Sequence, residues 1–92
     1  MARHLRIVGV LQGVGYRAAF ARKADALNLS GWVRNRMDGS VEAMISGAAD
    51  ALDRMSDWAH HGPTGAQVRA VSVTEVADTV VAANHFEILP TA

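Results

Sequence analysis

Cysteine is absent from the 92 residues, proline occurs twice and aromatic side chains five times. A chain without cysteine has no disulfide scaffold and fits a soluble protein of a reducing compartment, so the cytoplasm is its expected location. Long apolar runs are missing too. After Arg3 and Arg6 only five apolar or glycine positions precede Gln12, too few for a signal-peptide core or a membrane span, and no membrane association is expected. Nor does one sign of charge dominate. Nine Lys and Arg balance nine Asp and Glu, a balance that offers no footprint for nucleic acid. With no repeat, low-complexity tract or linker, residues 1–92 are expected to form one small domain around one core.

What the chain does have is an uneven spread of charge. Residues 1–46 carry seven Lys or Arg against three acids, and residues 47–92 carry two against six. An anionic ligand would sit more comfortably on surfaces built from the first half.

The apolar pattern changes period along the chain. Leu5 to Leu11, with Ile7, Val8 and Val10, reads as a buried strand. From Arg17 onward Phe20, Ala24 and Leu27 recur at i, i+4 and i+7, which predicts an amphipathic helix, and Asn28 to Gly31 is suited to stop it. Trp32 and Val33 resume strand chemistry. Asp38-Gly39 offers the positive φ angles of a tight turn, so GWVRNRMDGSVEAMISG reads as a hairpin with Val41, Ala43 and Ile45 on one face. A second helix from about Ala48 to His60 spaces Leu52, Met55 and Ala59 on one side, has Asp50 and Asp53 in its first turns and ends at Gly62-Pro63. VRAVSVTEV is a fourth strand, Asp78 to Asn84 a loop, and HFEIL a short last strand before Pro90. The order β-α-β-β-α-β is that of an α+β, ferredoxin-like split βαβ fold, an antiparallel sheet with two helices on one face.

The stretch VLQGVGYR, residues 10–17, stands between the first strand and the first helix. Backbone N–H groups at a helix start lack helical partners, and the macrodipole is positive there. Gly13 and Gly15 have no Cβ, so the chain can curl closely around a small tetrahedral oxyanion, and Arg17 adds a guanidinium able to grip phosphate in two places. No Gly-Lys-Ser/Thr follows and no GxGxxG frame is completed, so a ligand smaller than a nucleotide is expected. Asn35 falls at the end of the second strand. Its neutral amide can hold a water in one orientation without exchanging a proton.

Together GVLQGVGYR, GWVRNRMDGSVE, Gly62-Pro63 and HFEIL resemble the acylphosphatase family over nearly the whole chain, and that family shares the split βαβ fold. The resemblance implies hydrolysis of the carboxyl-phosphate bond of small-molecule acyl phosphates to a carboxylate and inorganic phosphate, with no cofactor and no metal, by a protein expected to be monomeric. It also implies a phosphate cradle of Gln12, Gly13, Val14, Gly15, Tyr16 and Arg17, whose backbone amides and Arg17 side chain would grip the phosphoryl oxygens. Arg17 and Asn35 would be the catalytic pair, Asn35 holding the attacking water and a substrate oxygen accepting its proton. Two positions depart from the family pattern: Val10, where relatives often carry a basic residue, and Tyr16, where many have Phe. The missing charge at Val10 bears on phosphate attraction and substrate preference rather than on reaction class.

Other readings are bland or rival. His60-His61 reads as a solvated helix end, and with His4 and His85 it lacks the acidic partners of a metal site. Asp50, Asp53 and Asp57 read as a solvated helix face. Trp32 and Trp58 read as packing residues, and the first strand has no aromatic pair with which a sheet of this type would stack RNA bases. The rival from another class is a non-catalytic phosphate-binding or anion-binding regulatory module of the same fold.

Overall fold

The computed structural model describes residues 1–77 and 85–92, so the loop expected over Asp78 to Asn84 lies outside the described residues. Strand β1 (Ala2–Val10) leads into helix α1 (Tyr16–Ala26). Strands β2 (Ser30–Asn35) and β3 (Val41–Ser46) form a hairpin, followed by helix α2 (Ala49–Ala59), strand β4 (Gln67–Val76) and strand β5 (Phe86–Ile88). In the sheet the order is β4-β1-β3-β2-β5. The pairings β4 with β1, β1 with β3 and β3 with β2 are antiparallel, as expected, whereas β5 adds itself to β2 in parallel, making the sheet mixed at that edge.

Local chemistry accounts for the ends of the elements. Asn28 takes a φ of 57°, and the chain closes α1 with Asn28 N–H donating to the Asp25 carbonyl and Leu29 N–H to the Ala24 carbonyl. This reversal satisfies two carbonyls that a helix end leaves open. The β2–β3 turn departs from the two-residue form expected at Asp38-Gly39. Only Gly39 has positive φ, at 92°, and its N–H reaches back to Arg36 O while Arg36 N–H donates to Ser40 O. Asp38 instead accepts from the Ser40 backbone and hydroxyl, at 2.9 and 2.6 Å. A carboxylate that caps its own turn makes left-handed backbone at Asp38 unnecessary.

Both helices cover one face of the sheet. Leu5, Ile7, Val33, Val41, Ala43 and Ile45 are buried there under Phe20 and Ala24 of α1 and Leu52 and Met55 of α2. Each large apolar side chain so buried stabilises the fold by about 1.5–3 kcal/mol. Strand β1 is longer than its apolar run and is buried on one face rather than two. It starts at Ala2 because polar residues pair well on a half-exposed sheet: Arg3 stands opposite Glu75 and bonds it at 2.8 Å, and His4 bonds Glu42 at 2.7 Å. Asp53, expected on a solvated helix face, also takes Arg3, at 2.9 Å.

Candidate active site

Between β1 and α1 the chain bends on two left-handed glycines, with φ of 85° at Gly13 and 79° at Gly15. Nothing lies within 4 Å of a Cβ added at either position, so the backbone conformation, not space, demands glycine. An L side chain held in that conformation costs roughly 1–2 kcal/mol. Gly15 is also the N-cap of α1. It makes no side-chain cap hydrogen bond, and no acidic residue stands in the first turn. Most helices satisfy one of these open amides with a Ser, Thr, Asp or Asn oxygen. Here the positive helix end has neither a capping side chain nor an acidic residue, whereas α2, likewise without a side-chain cap, has Asp50 in its first turn.

A cleft of about 150 Å³ opens at this end of α1, lined by Leu11, Gln12, Gly13, Gly15, Tyr16, Arg17, Ala18, Asn35 and Ile88. Drug-sized ligands occupy roughly 300 Å³ or more, so this volume suits one compact group. Six of the seven residues expected at the site line it. The seventh, Val14, packs against the core beside Gly65. Gln12 turns its side chain across to the hairpin, where Nε2 donates to Arg36 O at 3.0 Å and ties the loop to the turn that follows Asn35. Tyr16 is 1% exposed; its ring packs on Phe20 and Trp58 and its hydroxyl donates to Ala59 O at 2.8 Å. Burial pushes its hydroxyl pKa far up, so the side chain is a neutral anchor and its main chain faces the cleft.

Arg17 differs from the arginines around it. Arg3, Arg6, Arg34 and Arg36 all engage carboxylates. The half-buried guanidinium of Arg17 has no carboxylate or hydrogen-bond partner among the described residues, although it lines the cleft at the positive helix end. Asn35 reaches the same cleft by strand alternation. Val33 faces the helices and is fully buried, and Asn35, two residues on, shares that face, while Arg34 turns to the other and bonds Glu42 at 2.8 Å. Its main chain is held, with Ala92 N–H donating to Asn35 O at 3.0 Å, and its side-chain amide has no partner among the described residues. The arrangement therefore joins an unneutralised cation, open helix-start amides and an uncommitted carboxamide in one small recess.

The profile of the acylphosphatase family matches residues 3–88. A relative named acylphosphatase from Azoarcus sp. (strain BH72) is 54% identical over 90 residues, 98% of this chain and 90% of that protein. The chain belongs to the acylphosphatase family. Among solved structures, an acylphosphatase from Coxiella burnetii superposes with a TM-score of 0.89 at 31% identity, covering 96% of this chain and 90% of its own. The Bacillus subtilis acylphosphatase gives 0.87 at 32% identity, covering 97% and 99%.

Of the two departures from the acylphosphatase pattern, Val10 is 57% exposed at the end of β1, pairs with Gln67 and is not a wall of the cleft. Tyr16 uses its extra hydroxyl on the end of α2. Sequence reading missed three apolar walls, Leu11, Ala18 and Ile88, and the Arg36 carbonyl that receives Gln12. The first two sit in or beside the loop and could have been inferred from adjacency, but Ile88 arrives from the far end of the chain. Among the described residues no three His, Asp or Glu side chains are grouped to share a metal, and no helix is long and apolar enough to cross a membrane. His60 is the C-cap of α2, with Nδ1 2.9 Å from Ser56 O.

Proposed function

We propose that this protein, acting as one domain over residues 1–92, hydrolyses the carboxyl-phosphate bond of acyl phosphates, releasing a carboxylate and inorganic phosphate. The observation that carries the reading is the convergence of Arg17, Asn35 and the uncapped start of α1 on one cleft of about 150 Å³. An acyl phosphate already has a good leaving group, so the task is to place a water in line and to stabilise charge on the phosphoryl oxygens. The Arg17 guanidinium and the amides of residues 12–17 supply the positive field. The Asn35 carboxamide orients the water by hydrogen bonding, and a phosphoryl oxygen of the substrate takes the proton as the carboxylate leaves. Every donor in this scheme belongs to the polypeptide, and the reaction needs no metal. The partner is a small molecule, met by a monomer in the cytoplasm, with no nucleic acid or membrane involved.

The test is phosphate release from benzoyl phosphate. Wild type should turn over in the presence of EDTA, and Arg17→Ala and Asn35→Ala should each lose about 100-fold to 1000-fold in kcat. Asn35→Ala should keep its affinity for inorganic phosphate, because it loses the water rather than the cradle. Phosphate binding by wild type without turnover would instead establish the regulatory anion-binding module.

A further inference from the structure

Strand β5 ends beside the reaction cleft, and its last residue is unlike the rest of the cleft's walls. Ile88 lies in parallel register with Val33, so it shares the helix-covered face on which Asn35 stands two residues further along β2. Phe86, on the same face of β5, is covered by α1, with its ring 6.0 Å from that of Phe20. At Ile88 that cover has ended, because α1 begins only at Tyr16, and the side chain is left 46% exposed at the cleft. Ala18, on the first turn of α1, is exposed on the same cleft, whereas Leu11 is 1% exposed and belongs to the core. The cleft thus combines polar groups, the amides, guanidinium and carboxamide, with accessible apolar surface at Ile88 and Ala18.

We infer that Ile88 and Ala18 form the seat of the acyl group, and that the protein favours acyl phosphates with an apolar, ring-sized acyl group over small or charged ones. This rests on the acyl phosphate reading above and extends it to the substrate class. With the phosphoryl group held at the helix start, the acyl group extends into the rest of the cleft, where an isoleucine is open to be covered. Burying apolar surface against it favours a phenyl or alkyl group, while a carboxylate or ammonium placed there would lose water without a partner.

The experiment compares benzoyl phosphate with acetyl phosphate on wild type, Ile88→Ala and Ile88→Thr, with inorganic phosphate as a competitive inhibitor. Threonine keeps strand propensity and branching, so it separates loss of the apolar wall from loss of the strand. The ratio of kcat/KM for the two substrates, normalised to wild type, cancels their intrinsic reactivities. Both variants should lower that ratio about tenfold, mainly through KM for benzoyl phosphate, the low end for apolar groups because the wall is half open. Inhibition by inorganic phosphate should not change. An unchanged ratio, or equal losses on both substrates, would overturn the subsite while leaving the hydrolase intact. Phosphate release from neither substrate by wild type would overturn the hydrolase reading, and the subsite with it.

Discussion

At the scale of single residues, the decisive contrast is between Arg6, Arg34 and Arg36, which engage carboxylates, and Arg17, which lines the cleft and has no carboxylate partner among the described residues. Arg34 and Arg36 share Glu42, at 2.8 and 3.2 Å, and Arg6 reaches Asp38, so each of these cations has a carboxylate beside it. A guanidinium presents a planar fork that gives two parallel hydrogen bonds to a phosphoryl group, and an ammonium cannot reproduce that geometry. Arg17→Lys should therefore remain at least about tenfold below wild type in kcat/KM for benzoyl phosphate despite its unchanged charge. Near-normal steady-state rates in that variant would mean that charge alone suffices.

Among elements, the site depends on how a loop is joined to a hairpin. The proposed phosphate loop belongs to the β1–α1 connection and Asn35 to the end of β2, and the side-chain bond from Gln12 to Arg36 O spans the two. Gln12 was expected to offer phosphate its backbone amide, which leaves its side chain free for another task. Its side-chain amide is directed at the turn, so the side chain sets the spacing between the proposed cradle and Asn35. Arg36 O also accepts the Gly39 N–H, so losing Gln12 does not orphan that carbonyl. Gln12→Met keeps the volume and removes the donor. It should cost under about 1 kcal/mol of stability, as suits an exposed bond. Turnover, sensitive to misplacements of 1 Å, should fall about tenfold while affinity for inorganic phosphate is kept. Denaturant unfolding together with kcat and phosphate inhibition checks all three.

Over the whole molecule, one carboxylate ties together the three central strands. Glu42 of β3 receives His4 of β1 at 2.7 Å and Arg34 of β2 at 2.8 Å. Partial burial pushes the Glu42 carboxyl up, but the hydrogen bonds and charges of His4 and Arg34 outweigh it, and the group lies below the ordinary carboxylate range. Asp38 is held low as well, first by the Ser40 hydroxyl and then by the Ser40 backbone N–H. A carboxylate whose pKa is lower in the folded than in the unfolded state adds stability above its unfolded pKa, about 4, and that stability is lost as pH falls through the folded value. The melting temperature should therefore drop steeply below about pH 4, and Glu42→Gln should start lower near neutrality and lose less on acidification. Parallel melting curves for the two proteins across this range would refute the assignment of acid sensitivity to Glu42.

Much of this architecture is written in short-range pattern. Period and turn chemistry locate both helices, the β2–β3 hairpin and the face shared by Val41, Ala43 and Ile45, because helix stops, left-handed glycines and strand alternation are decided within a few bonds of each residue. The same locality makes the left-handed bend at Gly13 and Gly15 legible, with Arg17 next to it. Where reading from pattern stopped short, the missing partner lay far along the chain. Arg3 and His4 extend β1 because Glu75 and Glu42 stand across from them, β5 runs parallel to β2 only because the chain returns to that edge, and Gln12 faces a carbonyl 24 residues away. The chain by itself determined the chemistry available: a guanidinium, a carboxamide and a bend that only glycine enters without strain. Tertiary structure decided which of these meet and what closes the recess, since packing sets the strand order β4-β1-β3-β2-β5 that brings residues 11–18, 35 and 88 to one place.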